Sequence, residues 1–224
     1  MITVCLLNYR RPGNLERILP ALQRQTTKPT IFLWDNAADS DYQFEWPDID
    51  WVIRSSVNQK CPPRWHMAVE AETPWVMSLD DDLLPTDDRL LELAVERAER
   101  EPPDRAVGPF GFVLNPDKHY VYRKEGINMP AEDRAVDLVK GRLLMIRTAT
   151  LRAAMQLGDL CGPLGREDDL AICGRLAAGR KLHHLCPAVF HGRLKNLPEG
   201  AEGISADKGA HYARRERARR HWGL

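Results

Sequence analysis

Segments with strand character alternate with helical segments over the first hundred residues, and this alternation restricts the possible folds most strongly. The strand candidates are short apolar runs at 2–7, 30–34, 51–54 and 75–79. Between the first two runs, apolar residues recur at helical spacing: Leu15, Ile18, Leu19 and Leu22. Pro20 lies inside that pattern and should kink the helix or delay its start. Such alternation predicts an α/β, Rossmann-like fold with a mostly parallel central sheet flanked by helices.

The same patterns predict the remaining elements. Helices are expected at 64–72, at 148–157, at 167–178 and in a segment that Thr86 would cap. Strands are expected at 106–114, 119–123, 143–146 and 182–190, with a hairpin turn around 115–117 and a polar loop at 124–135.

Composition limits the class of protein. A chain of 224 residues is long enough for one domain with a substantial core. Lys and Arg together number 32, as do Asp and Glu, so the net charge indicates no polyanionic partner. Five cysteines without a CxxC pair indicate reduced thiols in a cytoplasmic protein rather than disulfides or a zinc site. The first residues contain no basic or long apolar segment, so we expect neither a signal peptide nor a membrane span.

Three consecutive carboxylates, Asp80, Asp81 and Asp82, follow the apolar run 75–79. Like charges at the end of a buried strand repel one another and are costly to desolvate, and a cation removes that cost. In an extended backbone Asp80 and Asp82 share a side and can converge on one ion. Oxygen ligands of this kind suit Mg²⁺ or Mn²⁺. The alternative is an acidic loop that also forms the first turn of the next helix.

Polar clusters end three of the predicted strands, at 8–11, at Asp35-Asn36 and at 80–82. Ligands of doubly wound sheets bind beyond the carboxyl ends of the strands. We therefore expect a nucleotide at this edge.

A second acidic group, Glu167-Asp168-Asp169, opens a predicted helix. Acids in a first turn complement the helix dipole, but a carboxylate there could also serve as a general base. His191, at the end of the last predicted strand, is either a packed histidine or a ligand. Arg64 suits a diphosphate through its planar fork, and Trp65 offers a flat face to a ring, although both also suit surface and core positions.

Four segments in this order resemble family-2 glycosyltransferases of the A-type, nucleotide-diphospho-sugar fold: 4–25, 33–37, 77–82 and 166–179. Residues 77–82 look like the DxD motif of that family, and 166–179 resemble its ED-containing helix. The resemblance covers about residues 2–191, and exostosin-like transferases share the fold and similar motifs. It implies a transferase domain at 1–195, with a nucleotide-binding half (1–100), an acceptor half (101–195) and a basic extension (196–224).

The resemblance also implies a role for each candidate residue. Asp35 would bind the base of the donor, most often uridine in this family, with Asn36, Tyr9 and Arg11 beside it. Asp80 and Asp81 would lie by the donor, Asp82 would ligate Mn²⁺ or Mg²⁺ together with Asp80 and His191, and Arg64 would stabilise the leaving group. Asp168, or its neighbours Glu167 and Asp169, would be the base of an inverting transfer. Trp65 and Phe110 are assigned to the acceptor.

Several alternatives stay open at this point. A retaining, exostosin-like reaction would make Asp168 an acceptor-orienting residue. A nucleotidyltransferase, or a non-catalytic nucleotide- or nucleic-acid-binding module, would use a similar α/β fold. The arginine-rich end, 208–220, reads as a solvated helix, as a contact to nucleic-acid phosphates or as a contact to an anionic membrane. The second reading raises the hypothesis of a hydroxylated DNA base as acceptor.

Overall fold

The computed structural model describes residues 1–36, 49–115, 125–157, 166–177, 182–198 and 208–224. The strands are β1 (Ile2–Asn8), β2 (Thr30–Asp35), β3 (Trp51–Arg54), β4 (Trp75–Asp80), β5 (Leu83–Pro85), β6 (Phe110–Val113), β7 (Glu125–Asn128), β8 (Arg134–Val136), β9 (Leu138–Val139), β10 (Leu143–Arg147), β11 (His184–Cys186) and β12 (Leu194–Asn196). The helices are α1 (Pro12–Gln23), α2 (Pro63–Ala68), α3 (Leu90–Ala98), α4 (Thr148–Met155), α5 (Asp168–Ala177) and α6 (Lys208–Trp222), with a 3-10 helix at Ala188–Phe190.

The central sheet has the order β3-β2-β1-β4-β10. β1 pairs in parallel with β2 and β4, β2 pairs in parallel with β3, and β10 is antiparallel to β4. Shorter antiparallel pairings join β6 to β7 and β9, β11 to β8, and β12 to β5. The expected α/β fold with a mostly parallel central sheet flanked by helices is confirmed. The strand order reverses at β1, which is where such sheets bind ligands.

The strand pleat divides the core into two halves. On β1, Val4 and Leu6 belong to the half that contains side chains of α1 and α3, whereas Cys5 belongs to the half that contains side chains of α2, α4 and α5. On β4, Val76 faces the second half, so the same alternation directs Asp80 toward α2 and α5. The acidic end of β4 therefore meets the two helices that carry the other candidate site residues.

The first helix contains two prolines, Pro12 at its first position and Pro20 in its interior. α1 begins at Pro12, in the first turn, where the missing N–H costs nothing, and it continues through Pro20 to Gln23. The alternative of a late start is therefore wrong.

The helix expected after Thr86 begins four residues later, at Leu90. Residues before it form β5, which pairs with β12, and the backbone N–H of Thr86 donates to the carbonyl of Arg193. The carboxylate of Asp87 accepts the backbone N–H of Arg89 just before the helix, and Oε1 of Gln25, rather than Thr86, accepts the backbone N–H of Leu91 in the first turn. The alternative that the acidic triplet forms the first turn of this helix is also wrong, because β5 separates the two.

Prolines shorten two of the expected strands in the second half. In the segment 106–114 only β6 is a strand, because it starts just after Pro109. In the segment 182–190 β11 stops before Pro187, and the 3-10 helix follows. The helix expected at 64–72 likewise ends at Ala68.

The segment expected to be a polar loop, 124–135, contains β7 and the start of β8. Partners distant in sequence create these strands, since β7 pairs with β6 and β8 pairs with β11. The expected strand at 119–123 and most of its hairpin turn lie outside the described residues.

The arginine-rich end forms α6, as expected, but one face of this helix is buried rather than solvated. Ala218 is fully buried, and the side chains of Arg215 and Arg219 are each only 7% exposed. α6 packs against α5, where a side chain at Gly174 would collide with Trp222. Within the described residues, no helix has the length and apolar character needed to cross a membrane.

Candidate functional site

The polar ends of β1, β2 and β4 contact one another at the carboxyl edge of the sheet. The amide Nδ2 of Asn8, at the end of β1, donates to Oδ1 of Asp35 at 2.9 Å. The backbone N–H of Tyr9 donates to Oδ2 of Asp81 at 2.8 Å. Parallel register makes these contacts possible, because Asn8 lies opposite Asp35 and Leu7 lies opposite Asp80. The structure thus brings together the three clusters that the sequence identified.

Asp35 and Asn36 are both buried, and Asn36 holds the neighbouring loop in place. Its Oδ1 accepts the indole N–H of Trp34 at 3.0 Å and the backbone N–H of Gln59 at 2.9 Å. Its Nδ2 donates to the carbonyl of Lys60, a residue in the left-handed region at φ 65°. A non-glycine residue there costs free energy, which the Asn36 contacts offset. The loop between β3 and α2 is therefore fixed beside Asp35.

Each carboxylate of the acidic triplet is paired with an arginine. Arg64 pairs with Asp80, Nη1 of Arg11 lies 2.5 Å from Asp81, and Nε of Arg142 lies 2.9 Å from Asp82. A second nitrogen of Arg142 donates to the backbone carbonyl of Asp82 at 3.1 Å. The repulsion that the sequence predicted is therefore offset by three cationic side chains.

The triplet is not extended throughout, contrary to the expectation that placed Asp80 and Asp82 on one side. β4 ends at Asp80, and Asp81 and Asp82 lie in a turn before β5. The turn carries Asp81 toward α1, where burial raises the pKa of its carboxyl to about 7 although Arg11 and the backbone N–H of Tyr9 lower it.

Asp168, the first residue of α5, is held through one of its two oxygens. Nε and Nη2 of Arg64 donate to Oδ2 at 3.1 and 3.0 Å, and the indole N–H of Trp65 donates to the same atom at 2.6 Å. All hydrogen bonds that the described residues donate to the Asp168 side chain fall on Oδ2. Burial raises the pKa of Asp168, and the charge of Asp169 adds to that effect, while Arg64 and Trp65 oppose it. A carboxylate held in this way keeps Oδ1 as a proton acceptor.

Glu167 and Asp169, on either side of Asp168, are both bound by Arg215 of α6. Nη1 of Arg215 lies 2.9 Å from Oε2 of Glu167 and 3.0 Å from Oδ1 of Asp169, and Nη2 lies 2.9 Å from Oδ2 of Asp169. The backbone N–H groups of Leu170 and Gly141 also donate to Asp169. Burial would raise the pKa of Asp169, but Arg215 outweighs burial and holds it below the ordinary value.

The two acidic clusters are linked by one side chain. Arg64, which is 2% exposed, contacts Asp80 through Nη1 and Asp168 through Nε and Nη2. Asp80 and Asp168 are therefore close in space, because the same guanidinium contacts both, although they are far apart in sequence. The candidate site thus combines the carboxylate cluster at Asp80, Asp81 and Asp82 with the buried carboxylate of Asp168, which is held separately.

The candidate metal ligands fit Mg²⁺ or Mn²⁺ in part. Asp80 and Asp82 supply carboxylate oxygens, the ligand type these ions prefer, and the side chain of Asp80 is 30% exposed. His191 is exposed, and its Nδ1 lies 2.9 Å from the carbonyl of Met129. Within the described ranges no three His, Cys, Asp or Glu residues are grouped to hold a metal, so His191 does not join the two aspartates.

The two aromatic residues assigned to the acceptor are covered in this structure. Trp65 is fully buried, with its indole N–H on Asp168. Phe110 is 4% exposed, with the guanidinium of Arg142 5.2 Å from the centre of its ring. Neither side chain presents the open face that the sequence suggested.

Two arginines at the site were missed by the sequence reasoning. Arg142 starts no recognisable motif, and its position depends on β10 lying beside β4. Arg215 belongs to a run in which Arg214, Arg215, Arg217, Arg219 and Arg220 have equivalent local contexts. Only the docking of α6 singles out one of them.

No protein-family model matches this chain, and no curated protein matches it. Among solved structures, it is similar to the mannosyltransferase PcManGT from Pyrobaculum calidifontis, in complex with GDP-Man and Mn²⁺. The match has a TM-score of 0.51 and 18% sequence identity, and it covers 79% of this chain and 51% of that chain. Our chain thus spans about half the length of that transferase. The likeness shows that the two chains share an α/β fold.

Proposed function

We propose that this chain is a metal-dependent glycosyltransferase that moves a sugar from a nucleotide-diphosphate donor to an acceptor hydroxyl. The observation that carries the proposal is the geometry of Asp168. One oxygen of this buried carboxylate is held by Arg64 and Trp65, and Arg64 also contacts Asp80 at the edge where the nucleotide would bind. The fold shared with a GDP-Man-bound mannosyltransferase supports the same reading.

The donor would lie across the ends of β1, β2 and β4. Asp35 and Asn36, buried at the end of β2, would receive the base, with Tyr9 and Arg11 beside it. Nη1 of Arg64 would exchange Asp80 for a diphosphate oxygen as the donor binds, and Arg11 would likewise exchange Asp81, while Nε and Nη2 of Arg64 stay on Asp168. The same side chains would then serve two anionic partners in succession.

Asp168 would act as the base of the transfer. The acceptor hydroxyl loses its proton to Oδ1 of Asp168, its oxygen forms a bond to the anomeric carbon, and the bond from that carbon to the diphosphate breaks. The nucleoside diphosphate leaves with the bonding electrons, and Arg64 stabilises its charge. A single displacement of this kind inverts the configuration at the anomeric carbon.

A divalent ion would be held by Asp82 and Asp80, with further ligands from the diphosphate. When bound, it supplies positive charge that stabilises the leaving group. Mn²⁺ is the ion bound to the mannosyltransferase of similar fold, and Mg²⁺ has the same ligand preference.

The acceptor class is less constrained than the donor class. A nucleic-acid acceptor was suggested by the basic end of the chain, but Arg215 and Arg219 are buried against internal carboxylates. Arg217 and Arg220 are the arginines of α6 that are exposed, and Arg220 pairs with Glu216. Sugars, lipid-linked sugars, proteins and hydroxylated DNA therefore belong together in an acceptor screen.

The test is stabilisation of the protein by nucleoside diphosphates, with UDP and GDP first, each with and without Mn²⁺. At about a hundred times its Kd, a specific ligand adds about 2.7 kcal/mol to the free energy of unfolding. We expect one nucleotide to raise the Tm only when Mn²⁺ is present, and chelation of the metal to remove the effect.

The matched variants are Asp82→Asn and Asp88→Asn. Asp82→Asn should abolish the metal-dependent stabilisation, whereas Asp88, half-exposed beside Arg24, should be dispensable. If no nucleotide stabilises the wild type with any metal, the acidic cluster is not a donor site and the proposal fails.

A further inference from the structure

The C-terminal helix contributes a side chain to the centre of the candidate site. The guanidinium of Arg215 reaches Glu167 and Asp169 across 48 and 46 positions of sequence, and all three side chains are buried. These carboxylates flank Asp168 directly. A guanidinium that binds both neighbours fixes the first turn of α5 from one side, while Arg64 fixes Asp168 from the other.

We propose that Arg215 is a positioning residue for the transfer, and that α6 is therefore part of the catalytic machinery rather than an accessory tail. The inference rests on the proposed function. We infer that the three consecutive carboxylates have different roles. Arg215 holds Glu167 and Asp169, so that Asp168 alone is directed at the acceptor.

Hydrogen-bond geometry supports this division. Both oxygens of Asp169 are occupied, since each accepts from Arg215 and one backbone N–H group also donates to each. Asp168 accepts through Oδ2 alone from the described residues. Successive residues of a helix point about 100° apart, so a carboxylate held toward α6 cannot share the direction of Asp168.

The docking of α6 makes Arg215 a fixed rather than a mobile partner. Ala218 is buried in the core beside α5, and Trp222 packs over Gly174 with the guanidinium of Arg175 5.1 Å from its ring. Within α6, Arg219 pairs with Glu216 at 3.0 Å. The packing of α6 against α5 therefore fixes the position of the Arg215 guanidinium beside the first turn of α5.

Electrostatics points in the same direction. Arg215 keeps Asp169 ionised, and the negative charge of Asp169 helps to raise the pKa of Asp168. A base with a raised pKa is the better proton acceptor near neutral pH, and two adjacent carboxylates with separated pKa values can take separate roles.

The experiment compares Arg215→Met and Arg215→Lys with Arg217→Met, a control at an exposed position of the same helix. Steady-state kinetics are measured well below the Tm of each variant. For Arg215→Met we expect a fall in kcat of roughly 100-fold, the usual cost of misplacing a reacting group by about 1 Å. The KM for the donor should stay within about twofold of the wild-type value, and the rise in Tm caused by the nucleoside diphosphate should be similar in the two proteins.

The pH profile separates positioning from a purely structural role. Loss of the Arg215 cation raises the pKa values of the Asp168–Asp169 pair, so the acidic limb of the kcat/KM profile should move to higher pH in Arg215→Met. Arg215→Lys restores the positive charge but not the planar guanidinium with its paired donors. It should therefore recover part of kcat and return the acidic limb of the kcat/KM profile part of the way to its wild-type pH. A folded Arg215→Met variant with unchanged kcat and unchanged profile would overturn the inference.

A third measurement keeps this result distinct from failure of the proposed function. If the wild type transfers no sugar, the carboxyl ¹³C resonances of Asp168 and Asp169 are followed by NMR in wild type and Arg215→Met. Separate titrations in wild type that merge or rise in the variant support the division of labour. Titrations that Arg215→Met leaves unchanged reject it, whatever reaction the protein performs.

Discussion

Asp168 and Asp169 are adjacent and chemically identical, yet their surroundings differ in the number of oxygens that are occupied. Asp169 has both oxygens in hydrogen bonds, and Asp168 is held by Arg64 and Trp65 through Oδ2. The sequence left the choice between them open, because both lie in the first turn of one helix. The choice depends on which guanidinium each side chain meets.

The first prediction at this scale concerns Asp168→Asn. The amide can still accept the N–H groups of Arg64 and Trp65 but cannot take a proton. We expect kcat to fall by about 100- to 10,000-fold while nucleotide-dependent stabilisation is retained. Turnover and thermal shift measured on the same preparation check this, with Asp88→Asn as control. Loss of nucleotide binding in Asp168→Asn would contradict the assigned role.

The second prediction concerns Arg142, which binds the proposed metal ligand Asp82. Because a cation and a guanidinium compete for the same carboxylate, Arg142→Gln should bind Mn²⁺ more tightly, by up to about tenfold. Without metal, the variant should lose about 1 to 3 kcal/mol of stability, since the buried carboxylate of Asp82 loses its closer cation and keeps only Arg11 at 3.7 Å. Calorimetric titration with Mn²⁺ measures the affinity, and Arg89→Gln, at an exposed arginine, is the control. Weaker Mn²⁺ binding would show that Arg142 supports the ion instead.

At the scale of elements, the contact between α5 and α6 depends on a missing side chain. A Cβ atom at Gly174 would lie 2.3 Å from Cβ of Trp222 and 3.3 Å from its carbonyl oxygen. These are distances at which one helix must move. The glycine thus allows the close approach that brings Arg215 to the start of α5.

Gly174→Ala tests this contact. Alanine usually stabilises a helix interior by about 1 kcal/mol over glycine, but the collision with Trp222 should reverse the sign and destabilise the protein by about 1 to 3 kcal/mol. The matched control is Gly13→Ala in α1, where no atom lies within 4 Å of the added Cβ and no loss is expected. Chemical denaturation measures both, and removal of residues 221–224 should abolish the penalty at Gly174.

Sequence patterns located the helices better than the short strands. α1, α4, α5 and β10 lie close to their predicted positions, because each carries its own apolar periodicity or run. β5, β7 and β8 were missed, since segments of only three or four residues become strands only when a distant segment supplies the hydrogen bonds.

At the scale of the whole molecule, His184 joins β11 to the segment beside the central sheet. Its Nδ1 accepts the backbone N–H of Ala106 at 3.2 Å, and Val107 bridges both Met145 of β10 and Leu185 of β11. Burial lowers the pKa of His184 from 6.5 to about 4. Between about pH 4 and pH 6.5, the folded protein therefore holds a neutral histidine where the unfolded chain holds a charged one.

This difference predicts how stability changes with pH. The stabilising effect of neutral His184 is fully present above pH 6.5 and is lost as the pH falls toward 4, because the unfolded state binds the proton first. By pH 4.5 the loss should be roughly 2 to 3 kcal/mol. Asn in place of His184 can accept the same N–H without titrating. Urea denaturation of wild type and His184→Asn at pH 7 and pH 4.5 should therefore show the smaller loss in the variant, and equal losses would contradict the prediction.

The sequence by itself determined the fold class and the edge of the sheet at which the candidate site lies. Alternating apolar periods define strands and helices locally, and the polar residues that end β1, β2 and β4 meet because parallel strands present their carboxyl ends together. Tertiary structure alone decided which cation meets which carboxylate. Arg64, Arg142 and Arg215 reach Asp168, Asp82 and Asp169 across long stretches of sequence. A long flexible side chain carries no local signal of its partner, and packing of α2, β10 and α6 selects it.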